Sequence, residues 1–157
     1  MVSAGLAFAD DFDAVEAKLK TAMAAENRTD KEKGRDSNRK PVQTLEYFGL
    51  RDNMKIVELL PGGGWYTKLL VPVVSDNVEY SAAFCTGNVS KNLMTEPGFE
   101  DMQVIATDAK VYRKEGARNY TLETDGLGVT DVDMVLTFRN YHNFDAEGRA
   151  AMNKASF

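Results

Sequence analysis

The 157-residue sequence has one cysteine, Cys85, and one histidine, His142. A single cysteine excludes an intrachain disulfide, and it leaves no CxxC pair for zinc. A single histidine excludes a multi-histidine metal site, so we expect neither a structural nor a catalytic metal. The sequence also lacks a run of about 18 apolar residues, the length that a membrane-spanning helix needs, and it contains no internal repeat.

Basic residues are outnumbered by acidic residues, 19 to 24, which gives a formal net charge of −5. The overall field of such a chain does not attract nucleic acid, so we expect no nucleic-acid partner. Residues 28–40 are rich in lysine and arginine, but Asp30, Glu32 and Asp36 are interleaved with them. That mixture is typical of a solvated helix face or linker, and a local basic patch is the alternative.

The first residues are small and apolar, and they end in Ala7-Phe8-Ala9 before two aspartates. This pattern is that of the tail of a secretory signal peptide with its A-x-A cleavage site, so residues 1–9 are interpreted as a signal remnant. An ordinary apolar lead-in is the alternative. The remnant would make the parent a periplasmic or secreted bacterial protein, and the alternative would make it cytoplasmic.

Hydrophobic spacing predicts a first helix over residues 10–27, with Asp10 or Asp11 capping its start. Residues 28–40 are predicted to be a charged connector. Lys40-Pro41 then opens a second helix that ends at Gly49, because proline is tolerated in a first helical turn. The predicted buried positions of these helices are Phe12, Val15, Leu19 and Met23 in the first, and Val42, Leu45 and Phe48 in the second.

Short apolar segments predict strands over residues 55–60, 77–84, 102–107, 119–122 and 132–138. Helical segments separate them: one from Trp65, interrupted near Pro72, a weaker one over residues 89–94, and a last one from Ala146, capped by Asp145. Strands that alternate with helices favour an α/β fold with a parallel sheet.

The most informative segment is a buried strand that runs into Pro61-Gly62-Gly63-Gly64 and then a helix. Glycines let a ligand approach the backbone, and a helix N-terminus offers free N–H groups. The dinucleotide pattern G-x-G-x-x-G fails, because Thr67 stands where its last glycine should be, and no Gly-Lys-Ser/Thr follows for a P-loop. A nucleotide-binding oxidoreductase is therefore a weaker hypothesis, and a tight structural turn is the other alternative.

This segment resembles motif I of the class I S-adenosylmethionine-dependent methyltransferases. Glu58 matches the acid of that motif, Gly62 and Gly64 match its second and third glycines, and Leu60 replaces the first. A subgroup of predicted methyltransferases is more similar still. Its features are a Lys-Pro and Phe-Gly helix, a Pro-Gly-Gly-Gly-(Trp/Tyr)-Tyr-Thr loop and a Leu-Thr-Phe-Arg-Asn-x-His-Asn block, which match residues 40–41, 48–49, 61–67 and 136–143.

The resemblance, which covers about residues 39–157, implies a Rossmann-like, mostly parallel sheet with helices on both faces and S-adenosyl-L-methionine as the cofactor. It implies that Asn140 and His142 orient the acceptor's nucleophile or take its proton, since a neutral histidine suits general base work. The alternative is that His142 and Asn143 satisfy backbone groups at the end of a strand. The implied cofactor-binding residues are Glu58, Pro61, Gly62, Gly63, Gly64, Trp65, Tyr66 and Arg139. Packing is the preferred interpretation of Trp65 and Tyr66, and Arg139 is assigned to the cofactor carboxylate or an acidic substrate.

The acid that usually holds the ribose hydroxyls is missing, because residues 82–85 contain no carboxylate. Asp108 or Asp125 is expected to bind the adenosine part of the cofactor. The alternative is that each is a residue of a surface turn with no ligand. Methyl transfer to a good nucleophile needs little acid–base help, since proximity and alignment supply most of the acceleration. The methyl acceptor is expected to be a small molecule of unknown identity.

We divide the chain into residues 1–9, the possible signal remnant; 10–38, the N-terminal helix and connector; and 39–157, an incomplete methyltransferase domain. The C-terminal strands of the fold are expected to be missing, so the isolated chain should be inactive or form a homodimer that covers its open sheet edge. The alternative function is a non-catalytic Rossmann-like binding domain that has lost its cofactor or activity, as Leu60 and the missing acid would suggest.

Overall fold

A computed structural model describes residues 7–74 and 79–157 of the chain, with side chains from residue 12 onward. The helices are α1 (Ala7–Ala24), α2 (Asp30–Lys33), α3 (Asp36–Arg39), α4 (Pro41–Tyr47), α5 (Thr67–Val74), α6 (Gly87–Asn92) and α7 (Ala146–Ser156), with a 3-10 turn at Tyr141–Asn143. The strands are β1 (Ile56–Leu59), β2 (Tyr80–Ala83), β3 (Gln103–Ile105), β4 (Lys110–Tyr112), β5 (Thr121–Glu123) and β6 (Met134–Thr137).

A four-stranded parallel sheet in the order β3-β2-β1-β6 forms the centre of the fold. All residues of β1 are buried, as expected for a central parallel strand that is covered on both faces. The chain builds outward from β1 through β2 to β3 and then crosses to the opposite side of β1 to add β6. The mixed α/β class and the parallel sheet are thereby confirmed.

Alternate residues of β1 enter two hydrophobic cores, one on each face of the sheet. Ile56 belongs to the core that holds the buried faces of α1, α4 and α5. Val57 and Leu59 belong to the core that holds Met152 of α7 and Leu122 of β5. Helices therefore cover both faces, and the two-residue period of the strand decides which core each side chain joins.

The strand predicted over residues 119–122 lies outside the parallel sheet, which corrects its assignment. Its counterpart, β5, pairs antiparallel with β4 in a separate two-stranded sheet. Strand β4 was not predicted, because it has only three residues and both of its end residues are exposed. The second predicted strand is observed as β2, while its positions 77 and 78 lie outside the described residues.

The first helix begins at Ala7, so Asp10 and Asp11 lie within the helix and do not cap it. It ends at Ala24, earlier than predicted, because two side chains satisfy its last carbonyls. The Arg28 guanidinium donates to the Met23 carbonyl at 2.8 Å, and Lys33 donates to the Ala24 carbonyl at 3.0 Å. The signal-remnant hypothesis falls mainly on residues 1–6, outside the described residues, and stays a prediction.

The predicted connector over residues 28–40 is folded into α2 and α3, and the solvated interpretation is wrong for part of it. Arg28 is only 2% exposed and makes a two-pronged ion pair with Asp36, at 2.6 and 3.0 Å. Thr29 and Glu32 form a capping box at the start of α2. Asp36 therefore pairs with Arg28, Glu32 pairs with Lys68 of α5, and these two ion pairs hold the segment against the rest of the fold.

Two further details of the helices differ from prediction. Phe48, expected in the buried face of α4, is 45% exposed because the helix ends at Tyr47. Helix α5 continues past Pro72 to Val74, since proline forfeits only one backbone hydrogen bond there. Across the described residues, no helix combines the length and apolar character that crossing a bilayer would require.

Candidate functional site

The candidate site lies where β1 and β6 end, at the carboxyl edge of the parallel sheet. In open α/β sheets, ligands bind at this edge, at the point where the strand order reverses. Here the reversal falls between β1 and β6. A cavity of about 260 Å³ opens at that point, and the glycine loop, the end of β6 and the α2–α3 segment form its wall. The structure therefore brings together the glycine-rich motif, residues 61–67, and the motif after the last strand, residues 136–143.

The glycine loop, residues 61–64, turns the chain from β1 toward α5. Leu60 begins the turn with a φ of 56°, and its N–H donates to the Ala83 carbonyl at 2.8 Å. No described residue accepts a hydrogen bond from the backbone N–H groups of Gly62, Gly63 or Trp65. These N–H groups precede the first turn of α5 and are available to a ligand with oxygen acceptors.

The glycines of the loop have different roles. Gly64 has a φ of 81°, and a Cβ there would lie 2.6 Å from Leu93 Cδ1, so this glycine lets α6 pack against the loop. A Cβ at Gly62 or Gly63 would meet no atom within 4 Å. Gly62 and Gly63 line the cavity, and Gly64 does not. Gly64 is therefore a packing glycine, while the other two leave open space beside the cavity.

Glu58 lies in β1 beneath the glycine loop and is 3% exposed. Thr67 donates to its Oε2 at 2.7 Å, and the Tyr80 hydroxyl donates to the same oxygen. Burial raises the pKa of Glu58 to about 7, and the two hydrogen bonds oppose that rise only in part. The carboxyl group thus links β1, β2 and α5, and it also reaches the wall of the cavity.

Trp65 and Tyr66 are 7% and 6% exposed, so the packing interpretation of both is supported, although both also line the cavity. The Tyr66 ring stacks on Phe138, which follows β6, at a centroid distance of 3.4 Å. The Trp65 indole N–H donates to the Glu32 carbonyl at 3.0 Å. The Arg39 guanidinium lies over the Trp65 ring at 4.5 Å, which holds it beside the cavity.

Asn140 connects the end of β6 to the glycine loop. Its Nδ2 donates to the Leu60 carbonyl at 2.9 Å and to the Phe138 carbonyl at 3.2 Å. Both contacts use the amide nitrogen, so Oδ1 is the atom that a ligand in the cavity can meet. Arg139, with a φ of 61°, is exposed and lines the same cavity.

Three predicted site residues lie elsewhere. His142 is exposed in a separate cleft that also contains Arg113, Arg118 and Tyr120. Asp125 is exposed beside Leu122 and Lys154 of a third cavity. Asp108 is exposed in the turn that follows β3, at the same edge of the sheet as the glycine loop, but it does not line that cavity.

The α2–α3 segment contributes residues that sequence reasoning did not assign to the site: Glu32, Arg35 and Arg39. Lys68 of α5 holds this segment in place, because its ammonium contacts both carboxylate oxygens of Glu32 at 3.0 Å. Burial alone would raise the pKa of Glu32, but hydrogen bonds from Thr29 and Lys68 hold it below its ordinary value. Arg35 and Arg39 are four residues apart, a spacing that puts both on one face of a helix, but the connector was not predicted to be helical.

Among the described residues, no group of three or more histidine, cysteine, aspartate or glutamate side chains is arranged to hold a metal ion. Comparison of the chain with protein-family models, with curated proteins and with solved structures found no match.

Proposed function

We propose that this chain is a Rossmann-like, class I methyltransferase domain that uses S-adenosyl-L-methionine to methylate a small-molecule acceptor. The observation that carries the proposal is the meeting of two motifs in one cavity. The glycine loop after β1 and the Phe138-Arg139-Asn140 segment after β6 face each other there, and the Asn140 amide links them. Both motifs belong to the resemblance noted in the sequence.

The order of the strands supports the Rossmann-like assignment. In such folds the first strand is central, the second and third lie to one side, and the next parallel strand lies on the other side. The order β3-β2-β1-β6 follows this rule, with the β4–β5 hairpin inserted between β3 and β6. Leu60 also adopts a φ of 56°, a conformation that favours glycine, at the position where motif I has its first glycine.

The methionine end of the cofactor fits the residues of the cavity. Gly62 and Gly63 leave open space, and their free N–H groups suit the oxygens of an amino-acid carboxylate. The adenosine side lacks the carboxylate that usually binds the ribose hydroxyls, because the positions that end and follow β2 carry Ala83, Phe84 and Cys85. Asp108 suits that side better than Asp125 does, since it follows a strand of the same sheet and Asp125 follows the separate hairpin.

The chemistry supplied when the cofactor is bound is an electrophilic methyl group on sulfur: the acceptor's lone pair forms the new bond to carbon, and the electron pair of the broken C–S bond stays on sulfur. The chain's own residues align the reactants. Asn140 is a positioning residue that fixes the glycine loop through the Leu60 carbonyl. The Tyr66–Phe138 stack forms an apolar wall that excludes water from one side of the cavity.

His142 retains its proposed role as a general base only if the acceptor reaches both clefts. It lies two residues beyond Asn140 along the chain but lines the neighbouring cleft. A non-catalytic binding domain is the second candidate function. The observations that favour it are the lack of a carboxylate after β2 and the position of His142 outside the cavity.

Calorimetry with S-adenosylhomocysteine tests the proposal, with Gly63→Ala as the probe and Gly87→Ala as its control. Both glycines have open space around them, and only Gly63 lines the cavity. We expect the unmodified chain to bind, Gly63→Ala to lose about tenfold in affinity, roughly 1.4 kcal/mol, and Gly87→Ala to bind normally. Absence of binding by the unmodified chain would refute the methyltransferase proposal. The same absence of binding would support the non-catalytic alternative, since a domain that has lost its cofactor binds none.

A further inference from the structure

A cluster of arginines lines the candidate site, although the chain as a whole has more acidic than basic residues. Arg35, Arg39 and Arg139 all line the cavity beside the glycine loop. They come from distant parts of the chain: the first two from the α2–α3 segment and the third from the loop after β6. The chain as a whole carries a formal net charge of −5, so this local positive charge runs against the overall balance.

The protein does not neutralise these guanidinium groups. Within the part of the chain whose side chains are described, no carboxylate oxygen lies within 4.0 Å of Arg35, Arg39 or Arg139. The two acids of the cavity wall are engaged elsewhere, Glu32 with Lys68 and Glu58 with Thr67 and Tyr80.

The arginines are also close enough to interact unfavourably. Partial burial lowers the pKa of Arg39, and the positive charges of Arg35 and Arg139 lower it further. Arg39 is held beside its neighbours by the rings of Trp65 and Tyr66, at 4.5 and 5.6 Å. A guanidinium fixed in this way loses little freedom when it binds an anion, so the cluster is prepared for one.

The proposed cofactor does not supply enough negative charge for this cluster. Its amino-acid end carries one carboxylate and one ammonium, and its sulfonium adds a positive charge. One guanidinium can pair with that carboxylate, which leaves two guanidinium groups, the ammonium and the sulfonium without an anion. A second negatively charged group in the cavity would relieve this imbalance.

We propose that the methyl acceptor is an anion whose carboxylate or phosphate group is held among Arg35, Arg39 and Arg139. This inference rests on the proposed methyltransferase function. The anionic group anchors the acceptor and is not itself required to react. Carboxylate and phosphate share the chemistry that an arginine cluster recognises, namely oxygens that accept pairs of N–H bonds.

The cleft that contains His142 provides a matched control, because it also presents arginines without a carboxylate partner among the described residues. Arg118 lines that cleft and does not line the cavity of the glycine loop. Arg118→Gln therefore removes the same charge as Arg35→Gln, Arg39→Gln or Arg139→Gln. Any effect of net charge alone will appear equally in all of these variants.

The test is calorimetry of the full chain with inorganic phosphate and, separately, with malonate, each with and without saturating S-adenosylhomocysteine. We expect one of the two anions to bind more tightly, and that preference identifies the acceptor's group. Each cavity variant should weaken anion binding roughly tenfold, as expected for loss of a charge-assisted pair. Arg118→Gln should leave it unchanged, and the anion should still bind when S-adenosylhomocysteine is present. Unchanged unfolding temperatures of the variants confirm that they remain folded.

Three results would overturn the inference. The first is that neither anion binds. The second is that Arg118→Gln abolishes anion binding while the cavity variants do not. The third is that the anion and S-adenosylhomocysteine exclude each other, which would assign the arginines to the cofactor carboxylate. Failure of the proposed function looks different: the anion binds and depends on the cavity arginines, but S-adenosylhomocysteine does not bind. That result would overturn the acceptor assignment and leave an anion site of another purpose.

Discussion

Glu58 lies buried in the central strand, and its replacement by glutamine tests how that burial couples stability to pH. Glutamine has nearly the same shape and accepts the hydrogen bonds of Thr67 and Tyr80 through its carbonyl oxygen. It carries no ionisable proton. The difference in the free energy of unfolding between Glu58→Gln and the unmodified chain therefore isolates the titration of this one carboxyl group.

The magnitude follows from the pKa, which burial raises from an ordinary value of 4.5 to about 7. Below pH 4.5 the carboxyl group is protonated in both the folded and unfolded chain, and its full contribution to stability is present. Between those values the unfolded chain releases the proton while the folded chain keeps it, so stability falls as pH rises. At about 1.4 kcal/mol per pH unit, the loss is about 3 kcal/mol and is complete above pH 7.

Urea denaturation at pH values from about 4 to 8 measures this effect. We expect the stability of Glu58→Gln relative to the unmodified chain to increase by about 3 kcal/mol across that range. Glu32→Gln is the control, because the pKa of Glu32 is lowered and its contribution is present at high pH and lost as pH falls. The Glu32 carboxyl group therefore titrates below its ordinary value of 4.5 in the folded chain, so the Glu32 variant should keep a nearly constant stability relative to the unmodified chain above about pH 5.

Parallel stability profiles for Glu58→Gln and the unmodified chain would refute this reasoning, since they would mean that the carboxyl group titrates alike in both states. Replacement of Tyr80 provides a second test that leaves the Glu58 carboxyl group in place, so its result does not depend on the properties of a glutamine side chain. Tyr80→Phe removes one hydrogen bond to Glu58 and should raise the pKa of the carboxyl group further. Its stability should therefore keep falling to a higher pH than that of the unmodified chain.

Three further predictions concern the glycine loop and the segment that follows β6. Gly64→Ala should destabilise the fold by about 1–3 kcal/mol in urea denaturation, because its φ is 81° and its Cβ would lie 2.6 Å from Leu93 Cδ1. Asn140→Ala should lower the free energy of unfolding by about 1–3 kcal/mol and weaken S-adenosylhomocysteine binding, since it frees the Leu60 carbonyl. Arg139→Gly should be more stable than Arg139→Ala by about 1 kcal/mol, because glycine adopts the φ of 61° without strain; both should lose anion affinity.

Each of these predictions has a result that contradicts it. A Gly64→Ala chain as stable as the Gly63→Ala chain would show that the loop accommodates a Cβ against α6. An Asn140→Ala chain with unchanged ligand affinity would remove Asn140 from the positioning role. Alanine more stable than glycine at position 139 is the ordinary order for the two residues, and it would show that the backbone there is unstrained.

The central strands could be predicted from the sequence because their signal is local. Residues 55–60 and 132–138 are apolar runs bounded by turn residues, and they are observed as the paired strands β1 and β6. Asp145 was predicted to cap the last helix, and its side chain accepts the Gly148 N–H at 2.7 Å. The meeting of the glycine loop with Asn140 follows once both strands are parallel neighbours, since their carboxyl ends then share one edge.

The rest of the site depends on contacts between distant residues, which carry no periodic pattern. Lys68 and Glu32 lie 36 residues apart, yet their ion pair holds the α2–α3 segment over the cavity. From the sequence, that segment is predicted to be a set of solvated charges. The sequence does not show whether a charged side chain contacts an oppositely charged side chain in the fold or only water. His142 shows the opposite error: it lies two residues from Asn140, but the 3-10 turn at Tyr141–Asn143 carries it into another cleft.

Several residues at the carboxyl edge of the sheet have a strained backbone. Leu60, Phe84 and Arg139 follow β1, β2 and β6 within two residues and have φ values of 56°, 62° and 61°. Each such residue costs about 1–2 kcal/mol relative to an unstrained backbone. Leu60 and Phe84 are 8% and 2% exposed, and burying such a side chain contributes about 1.5–3 kcal/mol, which offsets the strain locally. Arg139 and Cys85 are exposed, so burial does not offset the strain at either residue, and Cys85 has a φ of 52°. Of these two, only Arg139 lines the cavity of the glycine loop, and in the proposed anion site its strained backbone holds the guanidinium group at the mouth of that cavity.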